Sequence, residues 1–279
     1  MTDYTLTLNV GQNPSFKMIL DKDFSSDKHI LDAMRNGCCY ESEVVLIMSK
    51  ALREGDTVFD LGANVGYFSL LSSVLVGPTG RVLAFEPGEN NLPRLRDNIL
   101  LNRFDNIDVI TRPVWSHQTE LTFWLNHDNS GGNALWDPAL WPNNPKSKAA
   151  PVCRRLQTTT LDRVYLTVPR LIKMDIEGAE YHALVGAHGL LKAHRPEFIV
   201  VEWNRFALAQ METSGENIRR LLRTYGYEMF LIDATGHKPV RLAHTQKLDL
   251  PDGIIVNVLF STEKLVDEIW EKQDAGAVG

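Results

Sequence analysis

Val58-Phe59-Asp60-Leu61-Gly62-Ala63-Asn64-Val65-Gly66-Tyr67 reads as a short apolar strand running into a glycine turn and then into a helix. Glycines at such a turn let the backbone approach a ligand closely, and the helix that follows offers its unpaired N–H groups. In open α/β sheets ligands bind at this place, the carboxyl end of the strands. The same alternation extends outward. Thr57–Leu61 is the first strand and Tyr67–Val76 its helix; Arg81–Phe85 is the second strand, Asn90–Asn102 its helix, and Ile107–Ile110 the third strand. Further on, Leu171–Met174 is a fourth strand, followed by a helix over Ala179–Lys192. Phe198–Val201 is a fifth, followed by a helix over Gly215–Tyr225. Tyr227–Ile232 and Ile254–Phe260 supply two more strands with no clear helix between them, the pattern of an antiparallel pair closing one edge. Strands alternating with helices require crossover connections. The fold expected is therefore α/β, a doubly wound, mostly parallel sheet of seven strands.

Asp60 narrows the ligand. No register of the turn supplies the Gly-x-Gly-x-x-Gly of a dinucleotide site, and a carboxylate beside a pyrophosphate would repel it. Beside the ammonium and sulfonium of S-adenosylmethionine it attracts, so the acid favours a cationic ligand without phosphate. Glu86, in Ala84-Phe85-Glu86-Pro87, ends the second strand 20 residues past Gly66. An acid at that distance in a βαβ unit is placed to accept both ribose hydroxyl protons.

The third group is Leu171-Ile172-Lys173-Met174-Asp175-Ile176-Glu177-Gly178-Ala179-Glu180. Asp175 ends the fourth strand, next to the first in this topology, and so faces the donor. It is the first candidate for holding or deprotonating an acceptor hydroxyl, Glu202 the second and Glu177 the third. Glu177 and Glu180 have a plainer reading, as acids favoured near the start of the next helix. With Glu202 or Asn204 at the end of the fifth strand, Asp175 also forms an oxygen donor set compatible with Mg²⁺, although no spacing demands a metal. His127 and His182 are conceivable bases, but a histidine in a loop or on a helix is more often structural.

On these motifs the sequence resembles the FkbM-type methyltransferases: Asp60-Leu-Gly-Ala-Asn-Val-Gly66-Tyr-Phe-Ser, Phe85-Glu86-Pro87, and Ile172-Lys-Met-Asp-Ile-Glu-Gly-Ala-Glu180, with Tyr40-Glu41 before the first helix and Asn98 and Asn102 in the second crossover. The resemblance covers roughly Glu41 to Asp233. It implies a Rossmann-like methyltransferase with S-adenosylmethionine as donor, contacted by Asp60, Gly62, Asn64, Gly66 and Glu86, with Val114 near adenine and Glu41 near the methionine end. It also implies O-methylation of a sugar or natural-product small molecule. The domain would run over 41–261. An N-terminal extension, 1–40, precedes it and includes a hairpin formed by Tyr4–Val10 and Phe16–Leu20. A C-terminal helix and tail, 262–279, follows.

Between the third and fourth strands lies an insertion, 116–160, whose centre His127–Pro151 is rich in Asn, Gly, Pro and Trp. Loops of this length in a compact domain are usually functional or disordered, and its tryptophans need somewhere to pack. It reads as a cover over the substrate pocket, with Trp124, Trp136, Trp141 and Trp203 as candidates for stacking on the acceptor or for filling a small local core. Asn129-Ser130-Gly131-Gly132-Asn133 reads as a lid hinge or as a simple loop.

The bulk properties exclude other classes. The 279 residues are 44% hydrophobic and 23% charged with a net charge of −6, so no broad basic surface invites a long nucleic acid. The three cysteines, Cys38, Cys39 and Cys153, form no metal spacing and suit reduced thiols. No run reaches membrane-spanning length and no secretory leader is apparent, which fits the cytoplasm. A homo-oligomer is compatible with the sequence. Three other readings compete. An N- or RNA-methyltransferase would favour an Asn/Asp-Pro-Pro-Tyr motif where Asp175-Ile176-Glu177-Gly178 stands, or a basic face. An NAD(P)-dependent oxidoreductase would need the missing glycine pattern. A non-catalytic binding module would bind donor without turnover.

Overall fold

The structure is a computed structural model, and it describes residues 3–9, 15–21, 25–126, 129–141, 151–164, 167–251 and 253–274. A central sheet carries the chain. Its strands are β3 (Thr57–Leu61), β4 (Arg81–Phe85), β5 (Ile107–Ile110), β8 (Leu171–Met174), β9 (Phe198–Trp203), β10 (Glu228–Leu231), β11 (Val240–Arg241) and β12 (Val256–Ser261). They lie in the order β11-β10-β12-β9-β8-β3-β4-β5. From β5 to β9 all pairings are parallel, while β12 runs antiparallel between β9 and β10. The seven expected strands are all present. The sheet has eight, because β11, two residues long, adds to the edge of β10; a pair of residues gives no periodicity to read.

β3 is buried at all five positions, as a parallel strand covered by helices on both faces must be. Alternation then sorts the side chains. Val58, Val82, Leu171 and Val200 join one core with α2 (Ser42–Ala51) and α3 (Tyr67–Val76), whereas Phe59, Phe85, Ile172 and Val201 join the other with α6 (Glu180–Val185), α7 (His188–Ala193) and α9 (Gly215–Thr224). α10 (Glu263–Asp274) closes the first face through Val266 and Ile269, and α4 (Leu92–Asn102) covers β4 and β5 through Leu95.

The expected helix over Ala179–Lys192 is broken into α6 and α7. Gly186 lies so close to the chain of Trp115 that a Cβ there would meet the Trp115 carbonyl oxygen at 2.1 Å. Past that break, α7 restarts on the carboxylate of Asp162, in the short helix α5 (Leu161–Val164), which accepts the N–H groups of Gly189 and Leu190. A further short helix, α8 (Arg205–Gln210), follows β9 and is N-capped by Asn204.

The N-terminal hairpin is present as β1 (Asp3–Asn9) paired antiparallel with β2 (Ser15–Asp21). Its tip, residues 10–14, is outside the described residues. Asn98 and Asn102 of α4 bind β2 as another strand would: Asn98 Oδ1 accepts from Ile19 N, and Asn102 both accepts from Lys17 N and donates to Lys17 O. α1 (Ser25–Arg35), which the sequence reading did not anticipate, links this extension to the domain. The insertion forms its own two-stranded antiparallel sheet, β6 (Glu120–Leu125) with β7 (Val152–Gln157). Among the described residues no helix is long and apolar enough to cross a membrane.

Candidate active site

The carboxyl ends of β3, β4, β8 and β9 open into one cleft of about 160 Å³. Gly62, Asn64, Glu86 and Val114 line it at one end, and Asp175, Glu177 and Glu202 at the other. Gly62 has φ +85°, and a Cβ there would stand 1.7 Å from the Asp175 carbonyl oxygen. Only a glycine lets the turn after β3 lie flat against the end of β8.

Glu86 is 4% exposed. Its Oε2 accepts from Asn64 N and its Oε1 from Gly88 N, both at 2.8 Å, so the loop backbone fixes the plane of the carboxyl. Burial pushes its pKa up to about 7; the N–H groups of Gly88 and Asn64 and the Asn91 amide pull it back down, and the charge of Asp60 adds to the rise. Asp60 is 1% exposed and lies beneath the turn rather than on the cleft wall. Its Oδ2 accepts from Ser69 Oγ at 2.6 Å, while Oδ1 is buried with no partner among the described residues. Its pKa is raised by burial, against the opposing pull of Lys173 and Ser69. Gly66, φ +101°, is the N-cap residue of α3 and its α-carbon faces Leu95, where a Cβ would stand 2.8 Å from Cδ1; it serves the packing of α3 on α4.

At the other end, carboxylate oxygens of Asp175, Glu177 and Glu202 lie within 4.8 Å of one another. Asp175 Oδ2 accepts from Lys173 Nζ at 3.0 Å. Glu177 and Glu202 are held well above the usual carboxylate range by burial and then by the charge of Asp175 and their other acidic neighbours. Glu177 adopts φ +51°, which turns its side chain into the cleft instead of along α6. Glu180 takes the local role expected of it: its Oε1 accepts from Ile176 N and Gly178 N, tying the turn before α6. Asn204 leaves the cation donor set, because its Oδ1 caps α8 by accepting from Ala207 N and its amide donates to Glu177 Oε2 at 3.4 Å. Glu41 adopts φ +43° at the start of α2 behind Tyr40, which lines the cleft. Its Oε2 accepts from Asn257, and burial raises its pKa to about 7 against the pull of Lys173.

The insertion forms the roof. Asn129, Ser130, Gly131 and Asn133 line the cleft. Asn133 donates to Asn90 Oδ1 at 2.8 Å and accepts from Asn126 N, and Asn91 donates to the Ser130 carbonyl at 3.1 Å. The turn is thus latched to the loop that carries Glu86.

The tryptophans pack elsewhere. Trp203 is 2% exposed in the core, and Trp136 and Trp141 form a cluster with Phe206, leaving none of the four candidates on the cleft wall. His182 stacks on Trp115 with ring centroids 3.8 Å apart, its Nε2 3.0 Å from the Met211 carbonyl, away from the cleft. His127 lies outside the described residues. Lys173, by contrast, received no role from the sequence. Its signal was a lone charge inside the apolar run Leu171-Ile172-Lys173-Met174, where a buried cation requires partners.

This sheet order, with a cleft at the ends of β3 and β4, an acid just past β8 and another near the end of β9, is that of a doubly wound α/β fold with its site at the carboxyl ends of the strands. The chain belongs to the methyltransferase FkbM domain family, which matches residues 60–229. Methyltransferase FkbM from Methylobacillus flagellatus KT is similar at 15% identity and TM-score 0.47, over 86% of this chain and 55% of that one. This chain therefore spans about half the length of that protein. SMU.1697c from Streptococcus mutans, in complex with SAH, is similar at 10% identity and TM-score 0.44, over 79% and 96% of the two chains. Precorrin-6y C5,15-methyltransferase from Geobacter metallireducens GS-15 is similar at 15% identity and TM-score 0.43, over 80% and 90%. No curated protein matches the sequence.

Proposed function

We propose that the protein uses S-adenosylmethionine to methylate a hydroxyl of a sugar or natural-product small molecule. The observation that carries this reading is a single cleft with a backbone-clamped acid, Glu86, at one end and the group Asp175, Glu177 and Glu202 at the other. The donor fits the residues present: an acid beneath the turn has an unpartnered buried oxygen, Asp60 Oδ1, and the turn has no side chain at Gly62. When bound, the donor supplies a methyl group on a sulfonium, opposite in charge to these acids.

Glu86 accepts the ribose hydroxyl protons, Gly62 and Asn64 form the floor, and Val114 borders the adenine. Asp175 holds the acceptor hydroxyl, its own orientation fixed by Lys173. Aligning the two reactants supplies much of the acceleration. As the new O–C bond forms and the S–C bond breaks, the hydroxyl proton passes to a carboxylate. Asp175 is the first candidate and Glu202 and Glu177, whose raised pKa values make them stronger bases when ionised, come next. A carboxylate accepts a hydroxyl proton directly, whereas it would hold an amine as a non-nucleophilic ammonium, which favours oxygen over nitrogen.

A second reading of the same carboxylates is a divalent cation. It is favoured by Glu202 Oε2, buried without a partner among the described residues, and turnover with and without a chelator separates the two.

Calorimetric titration with S-adenosylmethionine, S-adenosylhomocysteine and NADH tests the donor. Binding of the first two and not the third, lost in Glu86→Ala, is the expected result; binding of NADH alone overturns the reading. A screen of hydroxylated acceptors then tests Asp175→Asn, which should lose turnover by at least about a hundredfold with S-adenosylhomocysteine affinity intact. Turnover near wild type would remove Asp175 from its role.

A further inference from the structure

The chain that leaves the roof alternates in direction. Asn133 and Leu135 line the cleft, while Ala134 and Trp136 turn away into an apolar cluster with Phe206 and Ala207 of α8. A period of two is that of extended chain. The stretch is pinned to β6: Ala134 N donates to the Trp124 carbonyl at 3.1 Å, and Trp124 N to the Ala134 carbonyl at 2.7 Å. Trp136 is 7% exposed and meets the Phe206 ring edge-on, with centroids 5.6 Å apart. Its position is thus set from both sides. From there its indole Nε1 donates to the Glu177 carbonyl at 2.7 Å.

The residue that offers this carbonyl is in an unfavourable conformation. Glu177 has φ +51°, a region that crowds any residue with a Cβ and persists where the surroundings impose it. Glu180 Oε1 accepts from the N–H groups of Ile176 and Gly178, on either side of it. Gly178 lies against α8, where a Cβ would stand 2.2 Å from the Ala207 carbonyl oxygen. Trp136 holds the Glu177 carbonyl itself. This backbone brings the carboxylate among the oxygens of Asp175 and Glu202, with the Asn204 amide 3.4 Å from Oε2. The charged groups acting there are Lys173 in β8, Asp175 just past it, Glu180 in α6 and Glu202 in β9, and His29 of α1 lines the same cleft. Burial and the neighbouring acids outweigh Lys173 and hold the Glu177 pKa well above the usual carboxylate range.

A buried indole N–H needs an acceptor, and that need alone would explain a bond to any carbonyl. It does not explain why the bond closes on the cleft acid whose backbone is left-handed. We infer that Trp136 is a positioning residue: its indole N–H holds the Glu177 peptide in the left-handed conformation and so keeps the Glu177 carboxylate beside those of Asp175 and Glu202. What these carboxylates do rests on the reading above; where Glu177 stands does not. Without the bond the peptide relaxes, the carboxylate swings out of the acid group, and the like charges around it no longer act on it.

The test reads the position of Glu177 and needs no acceptor. The full chain is labelled with carbon-13 at its glutamate carboxyls, and the Glu177 signal is assigned by its absence in Glu177→Gln. Its titration midpoint is then followed by NMR in wild type and in Trp136→Phe, which keeps a ring in the cluster and removes the donor. Wild type is expected to titrate above the ordinary glutamate value of about 4.3. Trp136→Phe should titrate lower than wild type by at least about one pH unit, as burial and like charge are relieved. Trp141→Phe disturbs the same cluster but leaves the bond, and should leave the midpoint in place. Replacing the Trp136 indole by benzothiophene, the same fused rings with sulfur for N–H, should lower the midpoint as Trp136→Phe does and decides the case if that variant does not fold. An ordinary midpoint in wild type overturns the inference with no variant needed. So does an unchanged midpoint in folded Trp136→Phe or in the benzothiophene protein, or an equal fall in Trp141→Phe, which would make packing the cause. S-adenosylhomocysteine binding is measured alongside. Its failure in wild type sinks the donor reading, whereas an unmoved midpoint with binding intact sinks only the role of Trp136.

Discussion

Affinity for the donor should depend steeply on pH, and the dependence should reside in Glu86. Its carboxyl is clamped by two backbone N–H groups and its pKa is pushed up to about 7. Ribose hydroxyls donate to the ionised form, so only the ionised fraction is competent to bind. The apparent dissociation constant is the intrinsic one divided by that fraction. At pH 8 the fraction is about nine-tenths, and at pH 5.5, a unit and a half below the pKa, about three-hundredths. S-adenosylhomocysteine should therefore bind about thirtyfold more weakly at pH 5.5 than at pH 8, with proton release on binding in the acid range. Calorimetry in buffers of different ionisation enthalpy measures both. Glu86→Gln should bind weakly at every pH with a flat profile, because the amide cannot ionise and its NH₂ opposes one of the two N–H groups. A steep acid limb that persists in Glu86→Gln would show that the titrating group is elsewhere and would refute the reasoning.

Gly62→Ala should lose at least about 2 kcal/mol, since its Cβ would meet the Asp175 carbonyl at φ +85°; a drop of about 4–8 °C in Tm, together with loss of donor binding, is expected, and an unchanged Tm would contradict the contact. Asn133→Ala removes the latch to Asn90 and Asn126 and should speed S-adenosylhomocysteine release several-fold in stopped-flow, whereas an unchanged rate would leave the roof no part in retention. Glu180, 1% exposed with a pKa raised by burial to about 7 from 4.5, binds its proton more tightly folded than unfolded. Its contribution is therefore present at low pH and lost as pH rises from about 4.5 to 7, by on the order of 3 kcal/mol. The Tm of unliganded wild type relative to Glu180→Gln should fall across that window, and a constant difference would mean Glu180 does not titrate there.

The sheet was legible because strands buried on both faces read as apolar runs, and because a turn such as Asp60–Gly66 concentrates its glycines where the backbone demands them. Glu86 and Asp175 were legible by their distance from that turn and their place at strand ends. What failed was tertiary in origin. The break at Gly186 is set by the Trp115 chain, 71 positions earlier in sequence, and nothing within the helical stretch marks it. The insertion's aromatic residues signalled burial without saying against what: Trp136 and Trp141 pair with Phe206, from the far side of the domain's sequence, and Trp136 donates its indole N–H to the Glu177 carbonyl. Asn204 looked like a ligand and proved a helix cap, a competition that a small amide at a strand end always presents.

The roof rests on a sheet of its own, β6 with β7, which shares no ladder with the strands that hold the acids. The acids and the roof are thereby built in separate materials. The carboxylates stand on strands whose side chains are locked by helices on both faces, where a change of one methyl group propagates. The roof residues Asn129, Ser130, Gly131 and Asn133 stand instead on the connection between two hairpin strands, the kind of position where exchange and insertion are tolerated. The two layers are not independent, because Trp136 donates to the Glu177 carbonyl and Asn133 to Asn90, so a change in the stretch between β6 and β7 reaches the carboxylates through those two bonds.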